Sequence, residues 1–89
     1  MDAAFSTFLD RALGVARAAA ATAAQVIRDH YARGVIAETK ADATPVTIAD
    51  REAEIAIKNV LRTAFPDHAF HGEEFGREGE GDYLWLIDP

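Results

Sequence analysis

The chain has 89 residues, 49% of them hydrophobic and 27% charged, the proportions of an ordinary globular protein, which exclude disorder as the main state. At this length a domain buries only roughly 60% of its unfolded surface, so one small domain and half of a larger one are equally compatible. Nine Lys and Arg against 15 Asp and Glu leave a net charge of −6, which argues against nucleic acid as a partner because phosphate-backbone binding needs a basic surface.

With no cysteine there is no disulfide framework, no thiolate nucleophile and no Cys-based zinc site. The start, Met1-Asp2-Ala3-Ala4, lacks the basic region of a secretory signal. The apolar run at 18–24 is too short to span a bilayer and is flanked by Arg17 and Gln25. A soluble, cytoplasmic protein without a membrane partner is expected.

Apolar residues at Phe5, Phe8, Leu9, Ala12, Leu13, Ala16, Ala20, Ala23 and Ile27 keep to one stripe at the helical period and predict a long amphipathic helix ending before Gly34. Its centre is nearly all alanine, which favours helix and lets a second helix approach closely. Residues 35–39, Val-Ile-Ala-Glu-Thr, read as a short strand, and residues 40–44 as a polar turn. Pro45 stops any helix from running through. A second helix is expected from about Ile48 to Ala64, with the Thr47 hydroxyl capping its first turn. Its core stripe is Ala49, Ala53, Ala56, Ile57, Val60, Leu61 and Ala64, with Ile48 and Ile55 on a second flank, so cover from two sides is expected. Phe65-Pro66-Asp67-His68 makes an exit turn, residues 69–74 a short strand ending in Gly72-Glu73-Glu74, residues 75–82 a polar glycine-bearing loop, and residues 83–87 a last strand before Asp88-Pro89. No internal repeat or domain boundary interrupts the chain.

Three acidic positions stand at the ends of three separate elements: Asp50, Glu73-Glu74 and Asp88. Each adjoins an apolar segment, where a carboxylate stays ionised only with a cation or hydrogen bonds to compensate. Convergence on a metal accounts for all three, and hard oxygen ligands without cysteine or a histidine cluster point to Mg²⁺ or Mn²⁺ rather than zinc or copper.

Pro45-Val46-Thr47-Ile48-Ala49-Asp50, Phe65-Pro66-Asp67-His68, Gly72-Glu73-Glu74 and Trp85-Leu86-Ile87-Asp88-Pro89 occur in this order, and together they resemble the inositol monophosphatase family of metal-dependent phosphomonoesterases. The resemblance is densest over residues 40–89. It implies a layered α/β (α+β) fold of the sugar-phosphatase type, of which residues 1–89 would be the N-terminal part of a single domain: two packed helices and the first strands of a mainly antiparallel sheet. It implies Mg²⁺ as cofactor, a small phosphomonoester as substrate, and a full-length protein that is commonly a homodimer, although no residue here marks the interface. By this resemblance Glu73 matches the ligand of the metal that activates water, Asp88 the aspartate that bridges two metals, and Asp50 the acid that orients and deprotonates the attacking water together with a threonine hydroxyl. Glu74 is expected beside these groups or in contact with a further, weakly bound metal through water, and Thr47 beside them. In the family the Asp-Pro continues into Asp-Gly-Thr or Asp-Gly-Ser, which has no counterpart in these residues. A truncated site without useful turnover is therefore expected of the 89-residue chain alone.

Taken singly, each acid has a plainer reading. Asp50 would complement the helix dipole or form a capping box with Thr47, Glu73 and Glu74 would be a solvated strand end, and Asp88 a surface residue. His30, His68 and His71 follow no common metal-ligand spacing and are expected at the surface or in packing. Inositol monophosphate and histidinol phosphate are the leading candidate substrates, with sugar bisphosphates and 3′-phosphoadenosine compounds behind them; Gly72-Glu73-Glu74-Phe75-Gly76 leans toward the bacterial histidinol-phosphatase branch. The alternative of another class is a non-catalytic helical interaction module whose acidic residues serve solubility.

Overall fold

The computed structural model describes residues 2–33 and 45–88, with backbone alone at 45–47. Two helices, α1 (Ala3–Ala32) and α2 (Pro45–Ala64), precede three strands, β1 (Ala69–Gly72), β2 (Gly76–Glu78) and β3 (Leu84–Ile87). The strand expected at 35–39 and the turn expected at 40–44 lie outside the described residues.

The first helix opens at Asp2, whose backbone is extended and whose side-chain oxygen accepts the Phe5 N–H at 2.8 Å, satisfying one orphan donor of the first turn. Its buried residues are Ala19, Ala23 and His30, with Phe8, Ala12, Val15, Ala16 and Ile27 half-buried. Leu9 and Leu13, expected on the packed stripe, are instead 41% and 51% exposed. An alanine-rich helix offers several faces of similar hydropathy, so contact with the second helix chooses among them.

The second helix begins at Pro45 rather than near Ile48. Proline suits the first helical position because its φ is preset and its missing N–H would have had no partner there. This corrects the expectation for Thr47: its backbone stands inside the helix instead of capping it, and its side chain lies outside the described atoms. Asp50 falls beyond the first turn, which holds no acid, so the dipole and capping-box readings lose their geometry. The two helices form an antiparallel pair. Arg11 near the start of α1 donates to the Ala64 carbonyl at the end of α2 at 2.9 Å, and His30 near the end of α1 meets Glu52 near the start of α2 at 2.5 Å.

The sheet order is β2-β1-β3. β1 pairs antiparallel with β2, but β1 and β3 are parallel, with Ala69 opposite Leu84 and Gly72 opposite Ile87. These first strands thus form a mixed portion of the sheet, with one antiparallel and one parallel pair, and β2 lies within the segment read as loop. The parallel pairing follows from the path at 79–83, which crosses the N-terminal end of β1 and returns the chain in the original direction. That crossing is tight: a Cβ on Gly81 would lie 2.0 Å from the Asp67 carbonyl oxygen. Ala69 N–H then donates to Tyr83 O at 2.9 Å and starts the pairing.

The helices cover one face of the sheet, where Ala19, Leu61, Phe70 and Ile87 form the buried core, with Val15, Ile57, Val60 and Trp85 packed around them. His71 and Leu86 pair across the strands on the opposite, exposed face. At the N-terminal ends of β1 and β3 a ring cluster closes the structure. Phe65 stacks on His68 at 4.6 Å between centroids, Phe8 approaches Tyr83 at 4.8 Å, and the Arg11 guanidinium lies 4.5 Å from the Phe65 ring centre. Trp85 Nε1 donates to His68 Nδ1 at 2.9 Å, so the Phe-Pro-Asp-His segment is a packing corner. Among the described residues no helix is long and apolar enough to cross a membrane.

Candidate functional site

Because β1 and β3 run parallel with Gly72 opposite Ile87, the next residue of each, Glu73 and Asp88, leaves the sheet at the same edge. Neighbouring strands are about 4.8 Å apart, and both carboxylates are exposed. Two acids separated by fourteen intervening residues in sequence thus become neighbours through strand register. Asp50 is half-buried on α2, one helical turn before Glu54, whose carboxylate touches the turn that carries Glu73. Among the described residues no three His, Asp or Glu side chains stand close enough together to hold a metal ion, so Asp50, Glu73 and Asp88 do not form such a trio here. Glu74 is half-buried and joins through its backbone, whose N–H donates to Glu54.

Glu54 was missed from sequence. It is fully buried, and its two oxygens accept the N–H groups of Glu74 at 2.9 Å and Phe75 at 3.1 Å. Lys58, also buried, stands 3.9 Å from Glu54 and donates to Glu78 on β2 at 3.0 Å, while Arg62 pairs with the other Glu78 oxygen. The Lys58 ammonium lies 4.9 Å from the Phe75 ring centre. The hydrogen bond from Lys58, opposed by partial desolvation and reinforced by the charges of Lys58 and Arg62, holds the Glu78 carboxyl below its ordinary value. The β1–β2 hairpin is therefore tied to the second flank of α2 through ion pairs; of the two isoleucines expected there, Ile48 is half-buried and Ile55 is 44% exposed. A signal existed: Asp50, Glu54, Lys58 and Leu61 follow the i, i+4, i+8, i+11 line of one helix face, and a charged pair on a line that ends in a core leucine marks a buried pair.

Histidine chemistry is absent from this edge. His30 and His68 are packing residues and His71 is exposed on the uncovered sheet face. The donors available to a cation here are carboxylate oxygens, which suit a hard divalent ion such as Mg²⁺ or Mn²⁺.

Two helices laid on one face of a mixed sheet, with parallel strands followed by acidic residues, fit the N-terminal portion of an α/β fold. The chain belongs to the inositol monophosphatase family, whose model matches residues 9–89. It is similar to the chloroplastic bifunctional phosphatase IMPL2 of Arabidopsis thaliana, 40% identical over 93% of this chain and 25% of that protein. A histidinol-phosphatase of Streptomyces coelicolor is 52% identical over 58% of this chain and 20% of its own length. The fructose-1,6-bisphosphatase/inositol-1-monophosphatase of Aquifex aeolicus is 38% identical over 91% of this chain and 32% of its own. The matches thus cover between a fifth and a third of these relatives.

Proposed function

We propose that residues 1–89 form the N-terminal part of a single phosphatase domain that hydrolyses a small phosphate monoester with Mg²⁺, or Mn²⁺ in its place, and that histidinol phosphate is the first substrate to test, with inositol monophosphate second. The observation that carries this reading is the parallel register that sets Glu73 and Asp88 side by side beyond the ends of β1 and β3. In it Glu73 and Asp88 hold the cation, and Asp50, on the neighbouring helix, takes the proton of the attacking water. A bound divalent cation neutralises phosphate charge and lowers the pKa of water, the two things an anionic ester needs before water can attack it. Glu74 serves through its backbone, fixing the turn that presents Glu73. The preference for histidinol phosphate is supported by the identity with the Streptomyces protein of that name and by Gly72-Glu73-Glu74-Phe75-Gly76.

The test is phosphate release by the protein produced at its native length, with each substrate, across a Mg²⁺ titration. Mg²⁺-dependent turnover that Glu73→Gln and Asp88→Asn both abolish is the expected result. Thermal midpoints that are equal with and without Mg²⁺, together with no turnover, would favour the interaction module instead. That alternative would seat its partner on the exposed apolar residues Leu9 and Leu13 of α1, since Ala19 and Ala23 are already buried within this chain.

A further inference from the structure

We propose that Glu54 is a positioning residue for the metal-binding turn: its buried carboxylate grips the consecutive N–H groups of Glu74 and Phe75 and thereby sets where Glu73 stands relative to Asp88. The inference rests on the reading of Glu73 and Asp88 as cation ligands and extends it to a residue outside the ligand set.

Glu73 itself has no rigid support. It is exposed and lies at the start of a three-residue turn between β1 and β2, and a carboxylate on such a turn would sample many positions. A ligand must be held to within about 0.5 Å of its working place to bind a cation well. Glu54 supplies that restraint from a helix, the stiffest element nearby. Two acceptors on one planar carboxylate meet two successive donors, at 2.9 Å and 3.1 Å, so the turn is fixed in orientation as well as in position. Hydrogen bonds donated to an ionised acceptor are also roughly twice as strong as neutral ones.

The sequence around the turn is adapted to this carboxylate. A Cβ on Gly72 would lie 2.1 Å from the Glu54 carboxyl carbon and 2.2 Å and 2.5 Å from its oxygens, so the residue before Glu73 has to be glycine while Glu54 is in place. Glu54 is 0% exposed, and a charge buried so deeply needs a counter-charge. Lys58 provides it at 3.9 Å and is itself held by Glu78 on the far strand of the hairpin at 3.0 Å. Glu54, Lys58 and Glu78 thus tie both strands flanking the turn to one face of α2, with Glu73 left free to face the cation.

The experiment uses the native-length protein and three variants, Glu54→Gln, Gly72→Ala and Glu73→Gln. Glutamine turns one accepting oxygen into an amide that faces an N–H, and alanine at 72 pushes the Glu54 carboxylate aside without removing it. Two quantities are read: hydrogen exchange at the Glu74 and Phe75 amides without metal, and the Mg²⁺ concentration that gives half of the metal-induced thermal shift. For Glu54→Gln and Gly72→Ala both amides should exchange faster, and half-saturating Mg²⁺ should rise about tenfold or more, the usual effect of losing a group that orients a ligand. At saturating Mg²⁺ the KM for the phosphomonoester should stay within about twofold, because substrate contacts are untouched. A merely structural Glu54 would lower the melting temperature and leave the Mg²⁺ requirement unchanged. If either folded variant behaves so while Glu73→Gln loses the metal-induced shift, this inference alone is overturned. If Glu73→Gln keeps that shift, the assignment of Glu73 as a ligand fails and this inference falls with it.

Discussion

The two ends of the β1–β3 pair carry different kinds of structure. At the N-terminal end Phe8, Phe65, His68, Tyr83 and Trp85 pack ring against ring under the Arg11 guanidinium. At the C-terminal end two acids stand exposed, and the turn beside them is held by one buried carboxylate and a chain of ion pairs. The same two strands therefore separate an apolar corner from an acidic end by the four residues of β1, a length of about 13 Å.

Phe65→Ala breaks the comparison most forcefully. Phe65 is 5% exposed and stacks between His68 and Trp85, so its truncation should cost about 3–5 kcal/mol of unfolding free energy in urea. The half-saturating Mg²⁺ concentration of the surviving folded protein should stay within about twofold. A large shift in that concentration would show that the two ends are coupled after all.

Glu73→Gln is the reciprocal case. Cation stabilisation of a phosphoryl transition state is worth several kcal/mol, so turnover in the native-length protein should fall by about a hundredfold or more. In the absence of Mg²⁺ its stability should match that of the parent within about 0.5 kcal/mol, as for other exposed positions. A thermal midpoint that dropped without metal would mean that Glu73 supports the fold.

Trp85→Phe keeps most of the ring and removes only the bond from Nε1 to His68 Nδ1. A loss of about 1 kcal/mol is expected, measured in the same urea titration, with catalysis unaffected. The smallest effect concerns Glu78. Its carboxyl titrates below the ordinary value of 4.5 in the folded state, first because Lys58 donates to it, so it binds its proton less readily folded than unfolded. Its contribution to stability is complete above that ordinary value and is lost as the pH falls through the depressed folded value. Parent and Glu78→Gln should therefore differ in thermal midpoint at neutral pH and converge in acid. A gap that persisted at low pH would mean that Glu78 acts through packing rather than charge.

Much of this was legible in the chain itself. Helical periodicity and an alanine-rich centre determine α1, the apolar stripe determines α2, and the short branched and aromatic runs determine β1 and β3, because burial against a neighbour has to follow the period of each element. The acids at Glu73 and Asp88 also stood out by their places at strand ends, whereas Asp50 lies past the first turn of its helix, and the ordered motifs carried the family. Only the tertiary structure decided which face of α1 is buried, since alanines make its faces nearly equivalent. It alone placed Glu73 beside Asp88, because strand order and direction are set by the glycine-dependent crossing over β1 and not by local propensity. The helix start at Pro45 and strand β2 likewise depended on how the ends were packed and paired. Glu54 was hidden for a related reason: a glutamate on a helix reads as solvated until a glycine opposite it and two backbone donors from a distant turn make its burial favourable.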